Sequence, residues 1–131
     1  MASFTYTAWS DLSFSALMNQ LQNVFGQLSF SLKNPESGKI HVWREEEIEI
    51  DPTASESISG MGLPISIQWW RGEEDINVSI DEEVGGLVCQ VTLVGLSRDE
   101  QAEIAKLLIL HVTPDKQRFP EDFDVFRLSA Q

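Results

Sequence analysis

With 131 residues, 42% of them hydrophobic, the chain is the size of one domain and can bury an ordinary core without disulfides or a structural metal. A formal charge of −12 opposes binding to nucleic acid or to an anionic membrane surface and favours a basic protein partner. The apolar runs, such as 107–110, fall far short of a membrane span, and the opening Met-Ala-Ser-Phe-Thr-Tyr lacks the basic region and apolar core of a signal peptide, so the expected location is the cytoplasm.

The first element expected is a helix. Ser10 has the chemistry of an N-cap, Trp9 and Phe14 have hydrophobic-staple spacing, and Phe14, Leu17, Met18, Leu21, Val24, Phe25 and Leu28 recur at intervals of three and four, with Gly26 near the end. Residues 27–33 then alternate as a strand, and Asn34-Pro35-Glu36-Ser37-Gly38 supplies turn chemistry before a second strand over 39–50, so the two are expected to form a hairpin. In that second strand Ile40, Val42, Ile48 and Ile50 share one parity, while His41, Trp43, Glu45, Glu47 and Glu49 share the other and face away from the core. Arg44 and Glu46 break the pattern, through either a bulge or an extension past the core edge.

Residues 51–64, rich in Ser and Gly and bounded by prolines, read as an irregular connection and a poor helix candidate. A strand follows over 65–71 with Trp69 inward and Trp70 outward, and Gly72-Glu73-Glu74-Asp75 turns the chain. The next strand puts Ile76, Val78 and Ile80 inward and Asp81 outward, and Gly85-Gly86 marks a tight hairpin into a strand over 87–96. Ser97-Arg98-Asp99-Glu100 is a capping box for a helix expected to reach about His111. The apolar residues of 119–128 suit an added short helix or edge strand. The expected architecture is α+β: a single-domain, two-layer sandwich with a mostly antiparallel sheet of about five strands and an N-terminal and a C-terminal helix on one face.

Charge is concentrated along this path. Between Glu45 and Glu83 lie twelve acids and a single base, Arg71, together with Trp69 and Trp70, and Trp43 stands just before them. Acids on a solvent face attract a cationic partner, and exposed tryptophans among them have the character of interface anchors. The candidate partner-binding residues are therefore His41, Trp43, Glu45, Glu47, Glu49, Trp70, Glu73, Glu74, Asp75 and Asp81.

Catalytic templates find no match. The sequence has no phosphate-binding Gly-rich motif with a Lys, no nucleophile elbow and no paired-cysteine metal spacing, and Cys89 lies in a strand-like run where a buried apolar residue is expected. Glu45, Glu47 and Glu49 on one side of a strand stand roughly 7 Å apart, too far to share an ion unless neighbouring strands contribute, so no metal or cofactor is expected. Neither is an enzyme activity.

This profile of a small, acidic, single-domain α+β chain without catalytic signature resembles the bacterial immunity proteins that neutralise a cognate toxin. The resemblance implies a protein partner, a basic toxin or nuclease domain whose active site or substrate groove is occluded by the acidic, Trp-bearing strand face, with no nucleic-acid or membrane partner. The alternative is a type III secretion chaperone, similar in length, acidity and opening helix, although such chaperones carry a dimerisation helix in the middle of the sheet, where 51–64 is a poor candidate. A carboxylate- or metal-dependent enzyme ranks below both.

Overall fold

The structure, a computed structural model, describes residues 3–115 and 124–130. It is α+β, built on an antiparallel seven-stranded sheet in the order β3-β2-β4-β5-β6-β1-β7. In chain order the elements are β1 (Ser3–Ser10), α1 (Phe14–Gly26), β2 (Ile40–Trp43), β3 (Glu47–Ile50), a 3-10 helix (Pro52–Gly60), β4 (Ile65–Arg71), β5 (Glu74–Glu83), β6 (Gly86–Val94), α2 (Arg98–His111) and β7 (Phe126–Ala130).

Two-residue alternation assigns the faces. Ile65, Ile67 and Trp69 of β4, Ile76, Val78 and Ile80 of β5, and Cys89, Val91 and Leu93 of β6 are all buried. They share one core with Leu17, Met18, Leu21, Val24 and Phe25 of α1 and Ile104, Leu107 and Leu108 of α2, and the two helices touch each other. The Phe25 and Trp69 rings meet edge to face at 5.0 Å. Burial pushes the Cys89 thiol up to about 12, as befits a core side chain rather than a nucleophile. Among the described residues, no helix is long and apolar enough to cross a membrane.

Several boundaries differ from the sequence expectation, each for a local reason. Residues 3–10 form a strand, with Tyr6 and Ala8 buried and Thr5 and Thr7 on the other face, so Ser10 ends β1 and the N-cap of α1 is Ser13, whose side chain accepts from the Ala16 N–H at 3.2 Å. Trp9 is no staple. The expected strand over 27–33 does not form, because the Phe30 N–H returns to the Phe25 carbonyl at 3.0 Å and Ser29 turns left-handed at φ 69°, closing the helix with a Schellman-type end. Only Ser31 and Lys33 then bridge to the sheet, to Trp70 and Ile40.

The expected single strand over 39–50 is a hairpin, in which Ile40 pairs with Ile50, His41 with Glu49, Val42 with Ile48 and Trp43 with Glu47. The break in parity at Arg44 and Glu46 is the turn itself, where the Arg44 side chain donates to the Met61 carbonyl at 2.6 Å. Residues 52–60 form two short 3-10 turns broken by a kink at Ala54 (φ −111°, ψ 25°) rather than an irregular stretch: the Asp51 carboxylate caps the first by accepting from Thr53 N–H at 3.0 Å, and Ile58 enters the core. The β4–β5 turn is confined to Gly72 and Glu73, so Glu74 and Asp75 belong to β5. In the next hairpin the turn residues are Val84 and Gly85, both at positive φ, and Gly86 is already in β6. At the far edge β7 pairs with β1, and the rings of Phe126 and Tyr6 stack at 5.9 Å. Residues 119–123 lie outside the described residues.

Gly86 is fixed by close approach rather than by turn chemistry. A Cβ there would collide with the Trp9 indole and the Ser10 carbonyl oxygen, because Trp9 lies against β6 and donates its Nε1–H to the Glu83 carbonyl at 2.7 Å. Gly86→Ala should lower stability by about 1–3 kcal/mol through overpacking against backbone that cannot yield. A urea midpoint equal to the native one would show that Trp9 does not sit there.

Candidate functional site

The face of the sheet turned away from α1 and α2 presents polar side chains in cross-strand rows. One row runs from Trp43 through Ser66, Ser79 and Gln90 to Thr7, and another from Gln68 through Asn77 and Thr92 to Thr5. The Ser66 and Ser79 hydroxyls bond at 2.8 Å, and Gln68 donates to the Asp75 carboxylate at 2.8 Å. Except for Trp9, whose indole is buried, outward residues along β1 and β4–β6 stay partly or wholly exposed, as expected of an antiparallel sheet with one solvated face.

At one end of this face the β2–β3 hairpin gathers charge around His41. The Glu47 Oε1 lies 2.9 Å from His41 Nδ1 and the Glu49 Oε1 lies 3.6 Å from Nε2, so the two carboxylates address the two ring nitrogens of one imidazole. The histidine side chain is only 12% exposed, while those of Glu47 and Glu49 are 46% and 51% exposed. The Trp70 ring meets the imidazole edge to face at 5.4 Å, and the Trp43 ring lies 6.2 Å from it, tilted by 43°. Ser37 Oγ is 2.9 Å from Nε2. Trp70 Nε1 and Asn77 Oδ1, both shielded, hydrogen-bond to nothing among the described residues.

The structure brings together most, but not all, of the candidate set. His41, Trp43, Glu47, Glu49, Trp70 and Asp75 share the outer face on neighbouring strands, with Asp75 paired to Trp70. Asp81 lies on the same face further along β5, where it helps line a shallow depression of about 380 Å³ together with Trp43, Ser66, Ser79, Val88 and Gln90. Asp81 and Glu83 also line a larger cleft of about 910 Å³ between the start of α1, residues 58–63 and the β5–β6 turn, and Asp11 and Glu82 add further carboxylates to it. Glu45 and Glu73 sit exposed in turns.

Glu74 belongs elsewhere. It pairs with Arg71, and the Arg71 side chain reaches to the helical layer, donating to Glu74 Oε1 at 2.9 Å, to Glu100 Oε2 at 2.6 Å and to the Leu28 carbonyl at 3.0 Å, with its guanidinium 4.5 Å from the Phe30 ring centre. Glu74 and the acidic segment's only base are thus consumed by a structural knot that ties β4 and β5 to α2. Sequence spacing could not have separated Glu74 from Glu73 and Asp75, because that depends on where β5 begins.

The Arg71 hydrogen bond, with a smaller contribution from Ser97, holds the Glu100 carboxyl below its ordinary value of 4.5. A depressed carboxyl stabilises the fold above its unfolded-state value, and that stabilisation fades as pH falls through the lower folded-state value. Arg71→Ala should cost about 1–3 kcal/mol at neutral pH, since the side chain is three-quarters buried and its bonds are charge-assisted. The variant should also lose less stability than the native chain on acidification below pH 4.5. Parallel pH–stability curves would refute this assignment.

No protein-family model, no curated protein and no solved structure matches the chain.

Proposed function

We propose that this chain is a binding protein that neutralises a cognate basic toxin or nuclease domain, occluding its active site or substrate groove with the outer sheet face. The observation that carries the reading is the juxtaposition of two partly exposed tryptophans, Trp43 and Trp70, with Glu47, Glu49, Asp75 and Asp81 on a face that the helices leave uncovered. Carboxylates spread around aromatic anchors suit lysines and arginines spread around an apolar or aromatic centre. The cleft bearing Asp11, Asp81, Glu82 and Glu83 extends this surface around the β5–β6 turn, where an arginine-bearing loop of the partner finds several acceptors.

The test is coexpression with the product of the adjacent gene. The expected result is a complex that survives purification, weakens with rising salt and protects cells from that product. A freely separating pair, or protection that persists after charge reversal at Glu47 and Glu49, would sink the acidic-face reading. A chain that instead elutes as a dimer holding an extended client segment would favour a secretion chaperone.

A further inference from the structure

The geometry points to a divalent transition-metal site at His41, Glu47 and Glu49, in which His41 Nε2 and the Glu49 carboxylate are ligands and Glu47 orients the imidazole. Glu47 and Glu49 stand two residues apart on one strand, at roughly 7 Å along the backbone, which by itself is too wide for a shared ion. Hairpin pairing changes this by placing His41 directly opposite Glu49 and diagonally from Glu47, so that one donor atom from each of the three residues lies within 4.8 Å of the others.

The roles follow from which atoms meet. Glu47 Oε1, 2.9 Å from Nδ1, accepts the Nδ1–H and thereby fixes the tautomer whose Nε2 carries a lone pair, which here accepts from the Ser37 hydroxyl at 2.9 Å and which an ion would take over by displacing that hydrogen bond. A carboxylate holding the far nitrogen of a ligating histidine is the common supporting arrangement at protein metal centres. Nε2 and Glu49 Oε1 are 3.6 Å apart, close to the spacing of roughly 3.3 Å between two ligands each about 2.0–2.1 Å from a tetrahedral ion. Ser37 Oγ, 2.9 Å from Nε2, borders the same position and can bond to a coordinated water. The rings of Trp43 and Trp70 restrain the imidazole while the half-exposed carboxylate of Glu49 leaves the ion reachable from solvent.

A nitrogen donor with so few oxygens suits zinc, nickel or cobalt and not calcium or magnesium, which take oxygen-rich shells. The ion would also neutralise two like charges that the hairpin holds together. The site shares Glu47 and Glu49 with the proposed partner-binding face, but metal binding needs only this chain, so its failure in the isolated protein is distinguishable from failure of the toxin reading.

Isothermal titration of the chelator-stripped chain with zinc chloride, beside calcium and magnesium chloride, reads the binding, and long-range proton–nitrogen NMR of the imidazole reads the bound nitrogen. Expected are one saturable zinc per chain, no calcium or magnesium binding, and metal at Nε2 of His41 with the His111 signals unmoved. His41→Gln and Glu49→Ala should abolish binding, and Glu47→Ala should weaken it about 10- to 100-fold, the usual loss when an orienting carboxylate is removed. Glu49 is half exposed, so its variant tests the site even if the His41 variant unfolds. The assignment is overturned by the absence of saturable zinc binding, by binding that survives Glu49→Ala, or by an ion bound at Nδ1.

Discussion

Trp69→Ala should lower stability by about 3–5 kcal/mol, the cost of emptying a large aromatic site in a close-packed core, whereas Trp70→Ala should cost markedly less. The two residues are adjacent in β4 but project to opposite faces. Trp69 is 1% exposed, packs edge to face on Phe25 and lies among Leu, Ile and Val side chains that cannot collapse into the space it leaves. Trp70 is half-buried against His41, and its indole N–H makes no hydrogen bond among the described residues, so its removal strands no partner. Urea unfolding measures both, with the change expected in the midpoint rather than the slope. Equal losses for the pair would mean that the outer face is covered and that the two-sided reading of β4 is wrong.

That contrast was legible in the sequence, because it depends only on parity. The period-two patterns of β4, β5 and β6 and the capping box of α2 are set by neighbours within a few residues, and the structure reproduces them. What failed was interpretation of residues whose local signal has two meanings. Trp9-Ser10 before an apolar helix has staple and N-cap chemistry, yet the Phe4, Tyr6 and Ala8 alternation made the same residues the end of β1, and pairing along the whole length of β6 decided between them. The alternation over 27–33 lost to a helix end that used the same residues for its terminal hydrogen bonds. The 3-10 helix at Pro52–Gly60 depends on an Asp51 cap and on Ile58 reaching the core, and a Ser- and Gly-rich composition conceals both.

The site was half legible for the same reason. Side-chain parity placed His41, Trp43, Glu47 and Glu49 on one face, but their mutual distances required the hairpin, and the hairpin was hidden in a stretch that reads equally well as one long strand. The parity break at Arg44 and Glu46 was its trace. Glu74 was misplaced because a carboxylate one position past a turn changes face with the register. Gln68, which holds Asp75, and Ser37, which meets His41, carry no motif that would single them out.

The second large effect concerns the partner proposed above. Glu47→Lys together with Glu49→Lys should slow association with a basic toxin domain by about 10- to 1000-fold, the range over which electrostatic steering acts, and should flatten or invert its salt dependence. Both carboxylates are about half exposed, so the substitutions act through the field at the rim and leave the core intact. Trp43→Ala should act differently, raising the dissociation rate by an amount equivalent to about 2 kcal/mol or more if the indole is a buried anchor. Surface plasmon resonance at two salt concentrations separates the two, since rates rather than affinities distinguish steering from anchoring. Lysine variants that slowed association while Trp43→Ala left dissociation unchanged would reduce the face to a long-range attractor, with the contact made elsewhere. The acidic cleft beside the β5–β6 turn would then be the place to look, because Asp81 and Glu83 link it to the same field and its walls can enclose a side chain.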